Sequence, residues 1–432
     1  MPNLVTNQFK IVNAKNFIAQ FSDSNNSLYL FLAKPSIWST ESELPNDPVD
    51  TQPSYFNIWD EMISLKKINP VNIVSVVKRI NWVRNSVYAE YSHDDANLYL
   101  KNYYVINRDY DVYKCIDNAK DAESTIEPTG KSLNIFSTSD GYKWKYLYTV
   151  STSDRLKFLT DNWMPVRTNP DVAAVAKDGA IENIKILNGG IDYSVRANVI
   201  ITGDGTGANI TARQSLGVIY DFNYINTGTR YRFAKAVLSD SNSSGRSANI
   251  KAILSPLGGH GSDPIAELNS NYIMINVRTN YNEGYGDFPA GFSYRKLGII
   301  RNPKDITGNI AYSSTLSSLN GLSLTNSNGT FLNNEFIEGL VSGANAYVVT
   351  ANIVTGNGYI KHIQSNDLTY NFKNFAIGEQ IVGMVSGATA TVSNTLLAEV
   401  ISDTGEILYI ENKYPITKLP DQTDSLHLVL EF

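Results

Sequence analysis

From Gly179 onward the sequence repeats itself, and no other feature limits the possible folds as much. Ala180 to Ser194, AIENIKILNGGIDYS, lines up with Val218 to Arg232, VIYDFNYINTGTRYR. Ile181 falls over Ile219, Asn188 over Asn226, Gly190 over Gly228 and Tyr193 over Tyr231. Downstream, GANITA at Gly207 to Ala212 matches SANIKA at Ser247 to Ala252, a period of roughly 38 to 40 residues. Two copies are too few for a solenoid, because stacked repeats need about three or more to bury a continuous core. The reading is a paired, sandwich-like β module over residues 179–264.

A second echo lies further along. FIEGLVSGANAYVV at Phe336 to Val349 matches the segment Phe375 to Val392, with Val341-Ser342-Gly343-Ala344 over Val385-Ser386-Gly387-Ala388. Thr307 to Asn333, ahead of it, is Ser, Asn, Gly and Leu in short alternation, which suits small hairpins. Residues 307–395 therefore read as an inserted small β module that starts after Asn302-Pro303.

The final stretch, Gly405 to Phe432, holds two apolar strands, Ile407 to Ile410 and Leu426 to Phe432, joined by a turn with Pro415, Pro420 and Asp421. A terminal strand not tied into a sheet frays, so 396–432 is expected to close a main β domain. The expected partner lies near Tyr272 to Ile300, in a return segment at 265–306. Residues 1–178 complete the scheme as an N-terminal region of helices and antiparallel sheet. A helix is predicted near Ala14 to Phe21, where Ala14, Phe17, Ile18 and Phe21 share one face. Another is predicted from about Ser54, with Ile58, Met62 and Leu65 on one stripe and Pro70 as its stop. Strands are predicted at Leu28 to Ala33, Ile73 to Val77, Leu98 to Ile106, Asp111 to Ile116 and Tyr142 to Val150, the last entered through an Asp140-Gly141 turn. The fold class is mainly β, a β-rich α+β chain of antiparallel sandwiches with a few short helices.

At 432 residues the length suits about three domains. A net charge of −6 without a basic block argues against a nucleic-acid partner, whose phosphates demand clustered Lys and Arg. Lys143 and Lys145 among Tyr142, Trp144 and Tyr146 read as a strand with an aromatic face rather than as a stacking groove. A single cysteine, Cys115, rules out an intrachain disulfide and a Cys-based zinc site. There is no signal-peptide pattern and no run of about 18 apolar residues, so export and membrane insertion are not expected.

Candidate chemistry is sparse. His93, His260, His362 and His427 are far apart and form no ligand pair. His93-Asp94-Asp95 reads as a solvated loop. GDGTGA at Gly203 to Ala208 lacks the spacing and following helix of a phosphate loop, so its glycines read as a turn. SDSNSSGRS at Ser239 to Ser247 has one carboxylate and no closing Glu, and reads as a hairpin rather than a calcium loop. Glu123 and Glu127 cannot be placed across a glycosidic bond, and Cys115 reads as a buried small hydrophobe. No catalytic, cofactor-binding or metal-binding residue is assigned.

Motifs that hold architecture are more telling. GEILYIENKYPI, DQT and a terminal LVLEF come last in a series that includes Trp38-Ser39, Trp59, Met62, Arg79, Trp82, Tyr88 and Val112-Tyr113-Lys114-Cys115. Thr125-Ile126-Glu127-Pro128, Asp140-Gly141-Tyr142, Trp144, Tyr146, Leu147, Ile299-Ile300 and Asn302-Pro303 belong to it as well. In order and spacing the series resembles the baseplate wedge subunit of T4-like contractile-tailed bacteriophages, the gene product eight family, from the N-terminus to about Pro170 and again over the last strands. The resemblance implies a non-enzymatic virion protein, assembled in the host cytoplasm, that forms a homodimer within each wedge and contacts the other wedge subunits. It also implies a largely β fold. The repeat at 179–264 matches the family weakly, and 307–394 looks like an addition. A receptor- or carbohydrate-binding tail component is the competing reading, from the small β modules and their aromatic strands. A polysaccharide depolymerase is a third.

Overall fold

The computed structural model describes residues 4–43, 45–240, 245–279, 292–364, 372–419 and 422–432. The chain is mostly β, with 46% strand against 12% helix, in several antiparallel sheets. It divides into two compact units. One comprises residues 1–16, 74–274 and 429–432, and the other residues 17–73 and 275–428.

In the second unit a five-stranded sheet is built around β1 (Leu28–Ala33), whose sequence LYLFLA is buried at every position. A continuous apolar run of this length suits a central strand covered on both faces. β1 pairs with β2 (Met62–Lys67) on one side and β16 (Phe292–Arg301) on the other. β17 (Thr315–Ser317) extends the sheet beyond β2, and β24 (Glu406–Lys418) extends it beyond β16. β24 is the first of the two closing strands, and its partner lies within the Tyr272 to Ile300 region and just past it. β25 (Asp424–Glu431) lies beside β15 (Tyr272–Thr279). Pro420 and Asp421 lie outside the described residues.

The helix α2 (Gln52–Glu61) ends where β2 begins, so Met62 and Leu65 belong to a strand and not to the expected helical stripe. Met62 to Leu65 is a run buried at every position, and ladders to β1 and β17 make it a strand. The helix α1 (Asn7–Gln20) starts well before the expected Ala14, burying Ile11 and Ala14 on one face. Residues 98–106 hold a 3-10 turn at Leu98–Leu100 and a short β4 (Tyr104–Ile106) in place of one long strand.

In the first unit, β5 (Asp111–Asp117) lies between β4 and β7 (Lys143–Thr149), with β6 (Phe136–Ser137) at the far edge. Gly141 takes φ +90° in the turn into β7. β3 (Ile73–Lys78) pairs with β8 (Trp163–Pro165). The short helices α3 (Thr152–Phe158) and α4 (Pro170–Val175) are capped by Ser151 and Asn169.

The repeated segment folds as two three-stranded halves that exchange strands. The first half holds β9 (Ile181–Ile191), β10 (Asn198–Gly203) and β11 (Thr206–Ser215). The second holds β12 (Val218–Thr229), β13 (Ala234–Ser239) and β14 (Arg246–Leu254). β9 pairs with β14, β12 with β11, and β10 with β13. The halves match down to their irregularities: Asn188 faces Asn249 as Asn226 faces Asn209, and each ladder slips after that asparagine of β11 or β14. Residues 320–396 repeat this wiring in a closed barrel of β18 (Asn320–Asn328), β19 (Phe336–Gly339), β20 (Asn345–Val354), β21 (Asn357–Ile363), β22 (Gln380–Gly383) and β23 (Thr389–Leu396). β18 pairs with β23, β21 with β20 and β19 with β22, and a β18–β21 ladder closes the ring.

Candidate functional site

The residues singled out for chemistry are dispersed, and most are tied down. His93 Nδ1 accepts from the Leu254 amide at 3.3 Å. Asp94 pairs with Lys251 at 2.7 Å and Asp95 with Lys101 at 2.6 Å, surface ion pairs within a loop where His93 and Asp94 are exposed. The hydrogen bonds from Lys251 and Ser92 bring the Asp94 carboxyl down to about 2. GDGTGA forms the β10–β11 turn, where Asp204 accepts from the amides of Arg232 and Phe233. Residues 241–244 of SDSNSSGRS lie outside the described residues. Glu127 pairs with Arg108 at 3.1 Å, while Glu123 is exposed. Cys115 is fully buried, and burial pushes its thiol well above the usual range. His427 is exposed on β25. Among the described residues no three His, Cys, Asp or Glu side chains are grouped to hold a metal.

One constellation was not legible in the sequence. Lys114 on β5 is completely buried and points at Glu267, at the end of the short α5 (Pro264–Glu267), with Nζ 2.6 Å from Oε1. His260 Nδ1 lies 2.9 Å from the same carboxylate oxygen, and the Gly261 amide donates to Oε2 at 2.7 Å. The Tyr91 ring covers the ammonium at 3.5 Å, a cation–π contact. Burial lowers the pKa of Lys114, and Glu267 opposes that shift. Burial also lowers His260, and the neighbouring Lys114 charge adds to it. Burial alone would raise the Glu267 carboxyl, but Lys114 and His260 hold it well below the carboxylate range. The carboxylate is the shared partner of the ammonium, the imidazole and the Gly261 amide. A charge pair this deep has to be matched by polar partners, and here the His260 ring, the Gly261 amide and the Tyr91 face surround it. Its atoms are sealed from solvent, so what the arrangement can do is lock the 260–267 turn onto β5. Val112-Tyr113-Lys114-Cys115 was legible as a motif, but its partners, His260 and Glu267, lie far along the chain.

A related device sits in the second unit. Glu61, 1% exposed, bonds Lys34 at 3.0 Å and Lys296 at 2.9 Å, and both ammonium groups approach the Trp38 ring.

Aromatic side chains fill the space around β5 and β7. Trp144 stacks on Tyr142 at 5.4 Å and meets Tyr88 edge-on at 5.9 Å. Trp144 is fully buried, and Trp163 is half-buried against Tyr272 at 4.8 Å. The Asp140 carboxylate accepts from the amides of Thr125 and Ile126, and Trp82 Nε1 donates to Ser124. No helix among the described residues is long and apolar enough to cross a membrane. No protein-family model matches the chain, and no curated protein matches it.

Proposed function

We propose that this chain is a structural virion protein, a baseplate wedge subunit of a contractile phage tail. It links neighbouring wedge proteins and relays the baseplate rearrangement on host attachment. The observation that carries this reading is the ordered series of motifs, and their placement supports it. Tyr88, Tyr113, Cys115, Tyr142, Trp144 and Tyr146 belong to one buried cluster. Asp140 joins the Thr125-Ile126 motif to the Asp140-Gly141-Tyr142 motif by hydrogen bonds of 2.8 and 2.9 Å. Soft motifs spread from Tyr88 to Tyr146 are thus the parts of one core, as expected when a resemblance reflects a shared scaffold.

On this reading the chain works without turnover, by presenting surfaces held rigid by buried joints such as Lys114–Glu267. It forms a homodimer, whose interface should bury upwards of roughly 1,200 Å² about a two-fold axis. Light scattering on the purified chain tests that point, and a strict monomer at high concentration contradicts it. The wedge role is tested by locating the chain in purified particles.

A further inference from the structure

A cleft of about 350 Å³ opens where the ends of β5 and β7 face β9 and β12, all within the first unit. Six charged side chains line it, and they cancel: Glu90, Asp117 and Asp221 against Lys120, Lys143 and Lys185. Lys185 is paired with Glu90. Lys143 Nζ lies between two carboxylates, 3.3 Å from Asp221 and 3.8 Å from Asp117. Ile184, Ile186 and a Tyr220 ring that is 60% exposed add apolar surface.

The rim is strained. Ala119, Lys120 and Asp121 take φ of 54°, 64° and 61°, three consecutive non-glycine residues in the left-handed region. There the Cβ crowds the following carbonyl oxygen, and such residues occur singly rather than in runs. Asn118 holds the turn by donating to Tyr88 O at 3.1 Å and Asp121 Oδ1 at 2.8 Å, and by accepting from the Asp121 amide. Strain maintained at a cleft edge is the kind of outlier that points toward function. Here it sets Lys120 on the cleft wall.

We propose that this cleft binds a neutral saccharide of one or two rings. A polyanion entering it meets three carboxylates, and a cation meets three ammonium groups. A ligand suited to alternating charges, with Lys143 and Lys185 already paired, must bring donors and acceptors side by side, as vicinal hydroxyls do. Each hydroxyl donates to a carboxylate and accepts from a lysine, which gives charge-assisted hydrogen bonds at both ends. The apolar face of a pyranose ring packs on Tyr220. The volume sits at the low end of ligand pockets, about 300–1,000 Å³. Because β5 and β7 supply one wall and β9 and β12 the other, the repeated module alone would carry only half the site.

The test is saturation-transfer NMR on the full-length chain. The probes are neutral mono- and disaccharides (glucose, galactose, N-acetylglucosamine, maltose and lactose), with glucose 6-phosphate and spermidine as charged competitors. At least one neutral sugar is expected to bind in the millimolar range, with affinity unchanged between low salt and 0.5 M NaCl. Tyr220→Ala should weaken binding about tenfold, and Lys120→Ala about threefold, at unchanged melting temperature, since both side chains are exposed. Three outcomes overturn the proposal: no neutral sugar bound at 20 mM, tighter binding of the phosphorylated sugar or the polyamine, or full binding by Tyr220→Ala. The first would leave the cleft as a salt-bridged seam only. None of them bears on the wedge reading, which is tested on purified particles.

Discussion

The β9–β14 module and the β18–β23 barrel are wired alike and braced differently. In both, two halves exchange strands about a local two-fold axis: first strand to third, third to first, second to second. In the β9–β14 module the buried braces are aromatic, and the carboxylates that also tie the halves, Asp204 to the Arg232 and Phe233 amides and Asp240 to Ser194, are not buried. Tyr193 packs on Gly190 and Gly245, and Tyr231 on Gly228 and Gly205. The Tyr193 amide donates to Gly217 O and the Tyr231 amide to Gly179 O, each half holding the other. In the barrel the braces are buried carboxylates. Glu379 accepts from the amides of Val341 and Ser342 and from the Ser342 hydroxyl, all in the opposite half. Glu335 does the same for Val385 and Ser386. Each glutamate also takes an amide shortly before it in the chain, Ala376 or Leu332. Strand exchange sets the architecture, and the chemistry closing the turns is a separate choice. A buried carboxylate that closes a turn makes the barrel more sensitive to single substitutions.

The largest expected effect is therefore on the glutamates. Glu379→Ala or Glu335→Ala removes a buried acceptor of four hydrogen bonds and should cost the barrel about 4 kcal/mol, since each orphaned donor costs about 1–3 kcal/mol. The two costs should be equal within error. Hydrogen exchange read separately over 181–254 and 320–396 checks this, and unequal losses would break the two-fold equivalence.

Acid should next separate the two modules. Burial brings His362, on β21, down to about 4, and its Nδ1 has no hydrogen-bond partner among the described residues. The folded barrel thus holds the neutral imidazole, and an unfolded chain binds a proton near pH 6.5. Stability is fully present above that pH and falls as pH drops from 6.5 toward 4, by about 3 kcal/mol. Residues 181–254 contain no histidine, and over this range their exchange should change far less. His362→Leu, which places there the residue found at the two-fold-related position 324, should flatten the barrel's profile.

Overpacking should reverse the contrast. A Cβ on Gly245 would lie 2.6 Å from the Tyr193 ring, and one on Gly205 would press on Tyr231. Gly245→Ala and Gly205→Ala should each cost the β9–β14 module about 2 kcal/mol and spare the barrel. The smallest effect belongs to Asn188 and Asn226, whose side chains accept from the amides of Gly190 and Gly228 at 2.9 and 3.0 Å. Either Asn→Ala change should cost about 1 kcal/mol, visible as a small shift in the denaturation midpoint.

The repeats were legible because equivalent turns need the same residues. Gly190 and Gly228 both take φ +66°, so the Asn, Gly and Tyr alignments mark true equivalents. Strand exchange was not legible, since pairing partners leave no local trace in one sequence. In the barrel, matching Val341–Ala344 to Val385–Ala388 was sound, but setting Phe336 over Phe375 was not. The brace geometry makes Phe331, 4% exposed, the counterpart of Phe375, 6% exposed. Local pattern misled at Met62 and Leu65, where ladder partners outweighed helical spacing. The cleft charges, from Glu90 to Asp221, come from segments far apart in the chain, and only the fold gathers them.

The wedge role itself is open to one direct measurement: quantitative mass spectrometry of purified contractile tails, fractionated into sheath, baseplate and fibres. A wedge subunit is recovered in the baseplate fraction, in fixed ratio to the other wedge proteins. Absence from the particles, or recovery with the fibre tips alone, would contradict it.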